Sequence, residues 1–131
     1  MQPDDVPWMV DLAARRYPTE FDVEAGGVWV RDFVLKQPWQ FFPARTDNAF
    51  VVTMISVIPW LLAKPEANVI MVCAEEGCGW EAMRLLRASL FWAKKRQCAE
   101  WRMRTATEFD IGPMARRVGA FELPPCYAVR L

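Results

Sequence analysis

The sequence predicts a mixed α/β or α+β fold in which helices cover both faces of one sheet. Two observations carry this. Segments with helical spacing alternate along the chain with short, apolar, β-branched runs. The clearest helix, residues 80–97, stands between two strand-like runs, and strands joined through a helix imply a parallel pair with a right-handed crossover. With 131 residues, 53% hydrophobic and 24% charged, the chain can bury a core as a single domain, 1–131, without disulfides or metals.

Each element has its own signal. Asp4 and Asp5 are candidate N-caps, Pro7 suits a first helical turn, and Met9, Leu12 and Ala13 recur at helical spacing up to Pro18. Asp22 can cap a second helix with Val23, Val30 and Val34 on one face and a stop at Pro38. Gly26 and Gly27 inside it each cost about 1 kcal/mol relative to alanine. From Trp39 the period changes. Residues 39–44 form a short aromatic run, and Thr46-Asp47-Asn48 reads as a turn. Ala49 to Ile58 is almost continuously apolar and β-branched, as in a strand buried on both faces, a run that a buried helix gives as well, and Pro59 closes it before a loop at 60–67. Asn68 to Cys73 is a second buried strand.

The turn Ala74-Glu75-Glu76-Gly77-Cys78-Gly79 leads into the helix Trp80–Gln97. There Met83, Leu86 and Leu90 make one stripe, widened by Ala82, Leu85 and Trp92, while Arg84, Arg87, Lys94 and Lys95 can face water. Trp101 to Thr107 alternates like a strand with one wet face. Ile111 to Val118 is a short helix closed by Gly119, and Cys126 to Leu131 a last strand.

Composition excludes several chemistries. There is no histidine, hence no Ser-His-Asp or Cys-His machinery, no histidine metal ligand and no imidazole acid or base. Chemistry must run on carboxylates, Tyr, Cys, Lys or backbone groups. Cys73, Cys78, Cys98 and Cys126 contain no CxxC pair, so no zinc site is expected and the thiols read as small buried hydrophobes. The longest apolar run, 49–62, is broken by Thr53, Ser56 and Pro59 and is too short to span a bilayer. The acidic N-terminus lacks a signal-peptide layout, and a soluble, cytoplasmic protein is expected.

Net charge is zero, which argues against nucleic-acid binding by bulk charge. The charges are nevertheless split: residues 1–78 carry −5 and residues 79–131 carry +5. Either the halves attract each other within the fold, or the basic half meets a phosphate-bearing ligand.

The segment from Val69 through Trp80 reads as strand, glycine turn, helix start. Such a junction aims free backbone N–H groups and the positive end of a helix dipole at one spot, and glycines let a phosphate come close. It lacks the GK[ST] of a Walker loop and a complete GxGxxG.

Here the chain resembles the GNAT superfamily of acyl-CoA N-acyltransferases, over nearly all of its length. In that family a central strand enters a loop of pattern Q/R-x-x-G-x-G/A whose amides hold the pyrophosphate of coenzyme A. Ala74-Glu75-Glu76-Gly77-Cys78-Gly79 fits that spacing, with Ala74 in the leading place. Leu85-Leu86-Arg87 and Phe91-Trp92-Ala93-Lys94 are similar to the family's following helix, and Arg116 to Phe121 to its late "Y-E-+-x-G-F" segment. The short, Trp-rich texture looks most like GNAT-like proteins of tailed bacteriophages.

The resemblance implies a mixed, mostly antiparallel sheet with a splayed central parallel pair. It further implies an acetyl-CoA site along Val72 and Cys73 and on the amides of Gly77, Cys78, Gly79 and Trp80. The pattern is also eroded. The family's frequent Tyr falls on Ala115 and its frequent Asn on Glu108, and the strand 68–73 carries no Glu to act as base. Tyr127 is a candidate replacement acid, and Glu75, Glu76 or Glu108 a candidate base. Glu75 and Glu76 also bring negative charge to the turn. Cys73 and Cys78 flank the turn and read as packing residues rather than nucleophiles, and Arg84, Arg87, Lys94 and Lys95 as a wet helix face or contacts for a 3′-phosphate.

Three readings follow. One is an N-acyltransferase that positions an unidentified amine for direct attack on an acyl-CoA and polarises the carbonyl with a backbone N–H. Another is a catalytically inactive interaction or assembly protein, for example a phage virion or tail component, that uses its surplus of Trp to bind protein partners or itself. The third is a sensor that binds coenzyme A without turnover.

Overall fold

Pro7 sits within the first turn of α1 (Val6–Arg16), where a missing N–H costs nothing. The remaining elements are α2 (Val23–Asp32), β1 (Phe41–Arg45), β2 (Ala49–Ser56), β3 (Glu66–Ala74), α3 (Gly79–Lys95), β4 (Glu100–Met103) and α4 (Gly112–Arg117). They belong to a computed structural model that describes residues 1–19, 21–57, 64–103, 112–120 and 129. The expected strand at 126–131, apart from Val129, residues 58–63 around Pro59 and the continuation of β4 to Thr107 lie outside those residues. The expected loop at 60–67 ends sooner: Glu66 and Ala67 already belong to β3, because they pair with Ser56 and Ile55 of β2.

The sheet runs in the order β1-β2-β3-β4. The first three strands are antiparallel, and β4 pairs with β3 in parallel after the α3 crossover. This is a mixed α+β sheet with helices on both faces. Under one face, Met9 and Leu12 of α1, Val30 of α2 and Val34 meet Phe41, Phe50 and Val52. Under the other, Met83, Leu85 and Leu86 of α3 cover Ala49, Val51 and Val69, with Met114 and Val118 packed alongside. Both faces of β2 are thus covered, which is why its sequence is an unbroken apolar run. Among the described residues no helix is long and apolar enough to cross a membrane.

Several expectations change in detail. Asp5 stands at the N-cap of α1 but its carboxylate makes no capping bond there. It accepts from the Gln2 N–H at 2.7 Å and from Arg45 at 2.9 Å instead. Asp22 does cap α2, accepting from the Ala25 N–H at 2.9 Å. That helix ends at Asp32 rather than near Pro38, and a 3-10 turn at Val34–Lys36 keeps Val34 buried in phase with Val30, while Val23 is exposed. Gly119 ends the α4 segment at φ +80°, the left-handed C-cap its position predicts.

Among the described residues one ion pair joins the two oppositely charged halves, Arg102 to Glu66 at 3.1 Å. Arg84, Arg87, Lys94 and Lys95 are all exposed on α3.

Candidate functional site

The site is built on β3. Opposite β2, the register passes from Val52↔Met71 to Thr53↔Val69, so Ile70 is an extra residue with no partner. Side-chain parity confirms the bulge. Before it, Val69 faces α3; after it, Val72 and Ala74 face α3, while Met71 and Cys73 face α1. Ile70 itself is 42% exposed in mid-strand.

The bulge also separates two kinds of edge. Glu66 to Val69 pair with Glu100 to Met103 of β4, and among the described residues nothing pairs with β3 beyond that point. The Glu75 N–H donates to the Asn48 carbonyl at 2.8 Å. Counting back by twos along an antiparallel ladder turns the backbone groups of Cys73 and Met71 toward β2. Those of Val72 and Ala74 therefore point to the other edge, which has no strand partner among the described residues. One of them is engaged: the Tyr17 hydroxyl, at the end of α1, donates to the Val72 carbonyl at 3.3 Å.

Beyond Ala74 the chain turns into α3. The Cys78 N–H donates to the Glu75 carbonyl at 3.0 Å, closing a turn that puts Gly77 at φ +78°. Only a residue without Cβ adopts that conformation freely. Gly79 and Trp80 open α3, so their N–H groups have no intrahelical acceptor. A Cβ built on Gly77 or Gly79 would meet nothing within 4 Å, which leaves open space over these amides. Of the four amides proposed from the sequence, that of Cys78 is spent inside the turn. Those of Gly77, Gly79 and Trp80 donate to no acceptor among the described residues, and the Trp80 residue is 60% exposed.

Four carboxylates frame this junction. Glu75 is held by Arg15 through two bonds of 2.9 and 2.8 Å, which keeps its carboxyl below the usual range. Glu76 is exposed. Glu81, buried in the first turn of α3, accepts from the Asn48 side-chain amide at 2.9 Å. Bonds from Thr46 and Asn48 hold its carboxyl low, so it fastens the β1–β2 turn to the helix start. Asp11 lies behind Arg15 at 3.0 Å.

Neither thiol is primed as a nucleophile. Burial pushes Cys73 up to about 11, and burial together with a bond to Glu81 raises Cys78. Among the described residues no three metal-ligating side chains come together. Tyr127 and Glu108 lie outside the described residues, as does Cys126. Ala115, in the place of the family's frequent Tyr, lies on α4.

Sequence reasoning missed Ile70, Tyr17, Arg15 and Glu81. For Glu81 a signal existed, a Glu three residues after the N-cap Cys78. The other three depend on contacts between residues far apart in the chain, or on a bulge that a run apolar on both faces cannot reveal.

No known family profile and no curated protein matches the chain. Solved structures do. An aminoglycoside N-acetyltransferase in complex with coenzyme A, AAC(6')-Iy, gives a TM-score of 0.75 at 18% identity over 100% of this chain and 91% of that one. An aminoglycoside 6'-N-acetyltransferase of Acinetobacter haemolyticus gives 0.73 at 18% over 100% and 94%. A ribosomal-protein-alanine N-acetyltransferase of Brucella melitensis gives 0.72 at 15% over 100% and 95%. The chain has the GNAT-like acetyltransferase fold. The finer resemblance to bacteriophage proteins has no counterpart among these neighbours.

Proposed function

We propose that this chain is an acyl-CoA-dependent N-acyltransferase that positions a primary amine for direct attack on the thioester. One observation carries the reading. The central strand is bulged, its outer edge has no partner among the described residues beyond the bulge, and it runs directly into a glycine turn from which Gly79 and Trp80 start a helix. Similarity of fold to acetyltransferases, one of them a coenzyme A complex, supports it.

In this reading the amides of Gly77, Gly79 and Trp80 hold the pyrophosphate, aided by the positive end of α3. The open edge at Val72 and Ala74 offers backbone groups to the acyl-bearing arm. A coenzyme A thioester supplies an acyl group already activated toward amines. What the protein adds is orientation and a backbone N–H, that of Val72, to polarise the carbonyl as charge develops on its oxygen. The Tyr17 hydroxyl holds the neighbouring Val72 carbonyl and so fixes the plane of the edge. Attack forms the C–N bond and breaks the C–S bond. The amine proton leaves to solvent, and the thiolate is protonated from solvent or from a hydroxyl such as that of Tyr127.

The test is calorimetric titration with acetyl-CoA, with coenzyme A as control, on the wild type and on Gly79→Leu. Space over Gly79 is open, so the variant should fold normally and place its side chain where the pyrophosphate lies. Micromolar binding by the wild type and at least a hundredfold loss in the variant are expected, because the blocked amides are the main anion contacts. Absence of heat at millimolar ligand would overturn both the enzyme and the sensor readings. It would leave an interaction protein docking through exposed aromatics such as Trp39 (63%) and Phe91 (60%), with a phage assembly component as its most concrete form.

A further inference from the structure

A turn offered to a pyrophosphate should not present uncompensated carboxylates, yet this one contains Glu75 and Glu76. The leading place, where the resembling family has Gln or Arg, is Ala74 and supplies no compensation. The compensation comes from another element. Arg15, in the last turn of α1 and 60 residues away, donates from Nη1 to Glu75 Oε2 at 2.9 Å and from Nη2 to Oε1 at 2.8 Å. Its Nε donates to Asp11 Oδ2 at 3.0 Å, which locks the fork in this orientation. Arg16 adds a second positive charge close enough to favour the Glu75 carboxylate.

Glu75 is therefore fixed at three points: its N–H on the Asn48 carbonyl, its carbonyl by the Cys78 N–H, and its carboxylate by Arg15. The same residue closes the turn that presents the free amides. Its charge and its position are controlled together by a side chain from α1.

Resting on the acyl-CoA reading above, we propose that Arg15 is a positioning residue for coenzyme A. Its guanidinium offsets the Glu75 carboxylate, so that the amides of Gly77, Gly79 and Trp80 meet the pyrophosphate without competition from that carboxylate. An exposed ion pair contributes little to folding, so the effect belongs to binding rather than to stability.

A double-mutant cycle on the full chain tests this, with coenzyme A as the titrant and thermal unfolding recorded for each variant. Arg15→Gln leaves Glu75 bare and should weaken binding about five- to tenfold. Glu75→Gln should bind as well as wild type or better. The double variant should recover to within about twofold of wild type, and Arg15→Lys, which keeps the charge, to within about threefold. All should unfold within a few degrees of wild type. Wild-type affinity in Arg15→Gln would overturn the proposal. So would a double variant as weak as Arg15→Gln, since the guanidinium would then act on the ligand itself. A wild type that gives no heat with coenzyme A overturns the acyl-CoA reading as well, whereas a binding wild type with a flat cycle overturns this proposal alone.

Discussion

The two halves of β3 share one strand and do different work. Glu66 to Val69 are paired on both edges, by β2 and by β4, and Ala67 and Val69 are fully or almost fully buried. Met71 to Ala74 keep β2 on one edge and, among the described residues, have nothing on the other. A single inserted residue, Ile70, divides them. It reverses which side chains face α3 and marks where the second edge is released. A bulge thus lets the centre of the sheet be core at one end and a binding edge at the other, without a longer loop or a separate domain.

The largest effect should come from loosening the clasp on the closed half. Ser89 of α3 lies over it, fully buried. Its hydroxyl is 2.7 Å from the Thr53 hydroxyl on β2 and accepts from the Trp101 indole N–H on β4 at 2.9 Å. Ser89→Ala leaves both without that partner and should cost about 2–3 kcal/mol in urea denaturation. Thr53→Val added to it removes one orphan and should recover about 1 kcal/mol. If Ser89→Ala proves neutral, β4 is not held by this contact and the closed half is misdescribed.

How much of this was legible follows from the same contrast. The turn at 46–48, the glycine loop and the cap at Asp22 could be read because each rests on residues adjacent in sequence. The crossover from β3 through α3 to β4 was legible for a related reason: a helix between two strands has few alternatives. The bulge was not, since Asn-Val-Ile-Met-Val-Cys is apolar on both faces and carries no alternation to shift. Glu75 looked like an obstacle to anion binding because its partner, Arg15, lies 60 residues earlier. Tyr17 was read only as part of a helix ending before Pro18, although it ends on the strand edge.

Among the described residues the half from Met71 to Ala74 is unpaired along one edge but covered across its α1 face. Cys73 tests that distinction. It lies in the core with Leu12, and burial raises its thiol from 9.0 to about 11. In the unfolded chain the thiol ionises first. The contribution to stability is therefore complete below about pH 9 and is lost as pH climbs toward about 11, by up to ~2 kcal/mol. Denaturation of wild type and Cys73→Ala at about pH 8 and about pH 10.5 should show a steeper fall in the wild type, since Cys78 and Cys98, also raised, contribute to both. An equal slope in both would mean that water reaches the face as well as the edge.

The smallest expected effect is the most direct measure of the edge itself. Tyr17→Phe removes the donor to the Val72 carbonyl and keeps the ring. If the upper edge of β3 is open, water replaces the phenol and the loss should stay below about 1 kcal/mol. If the edge is covered, the carbonyl is stranded and the loss should reach about 1–3 kcal/mol. Amide exchange followed by NMR separates the same cases residue by residue. The register turns the N–H groups of Val72 and Ala74 to the edge opposite β2 and those of Met71 and Cys73 to β2. The first two should exchange faster than the second two, and coenzyme A should slow the first two selectively. Equal protection of all four without ligand would erase the difference between the halves of β3, and with it the edge on which acyl transfer is proposed to occur.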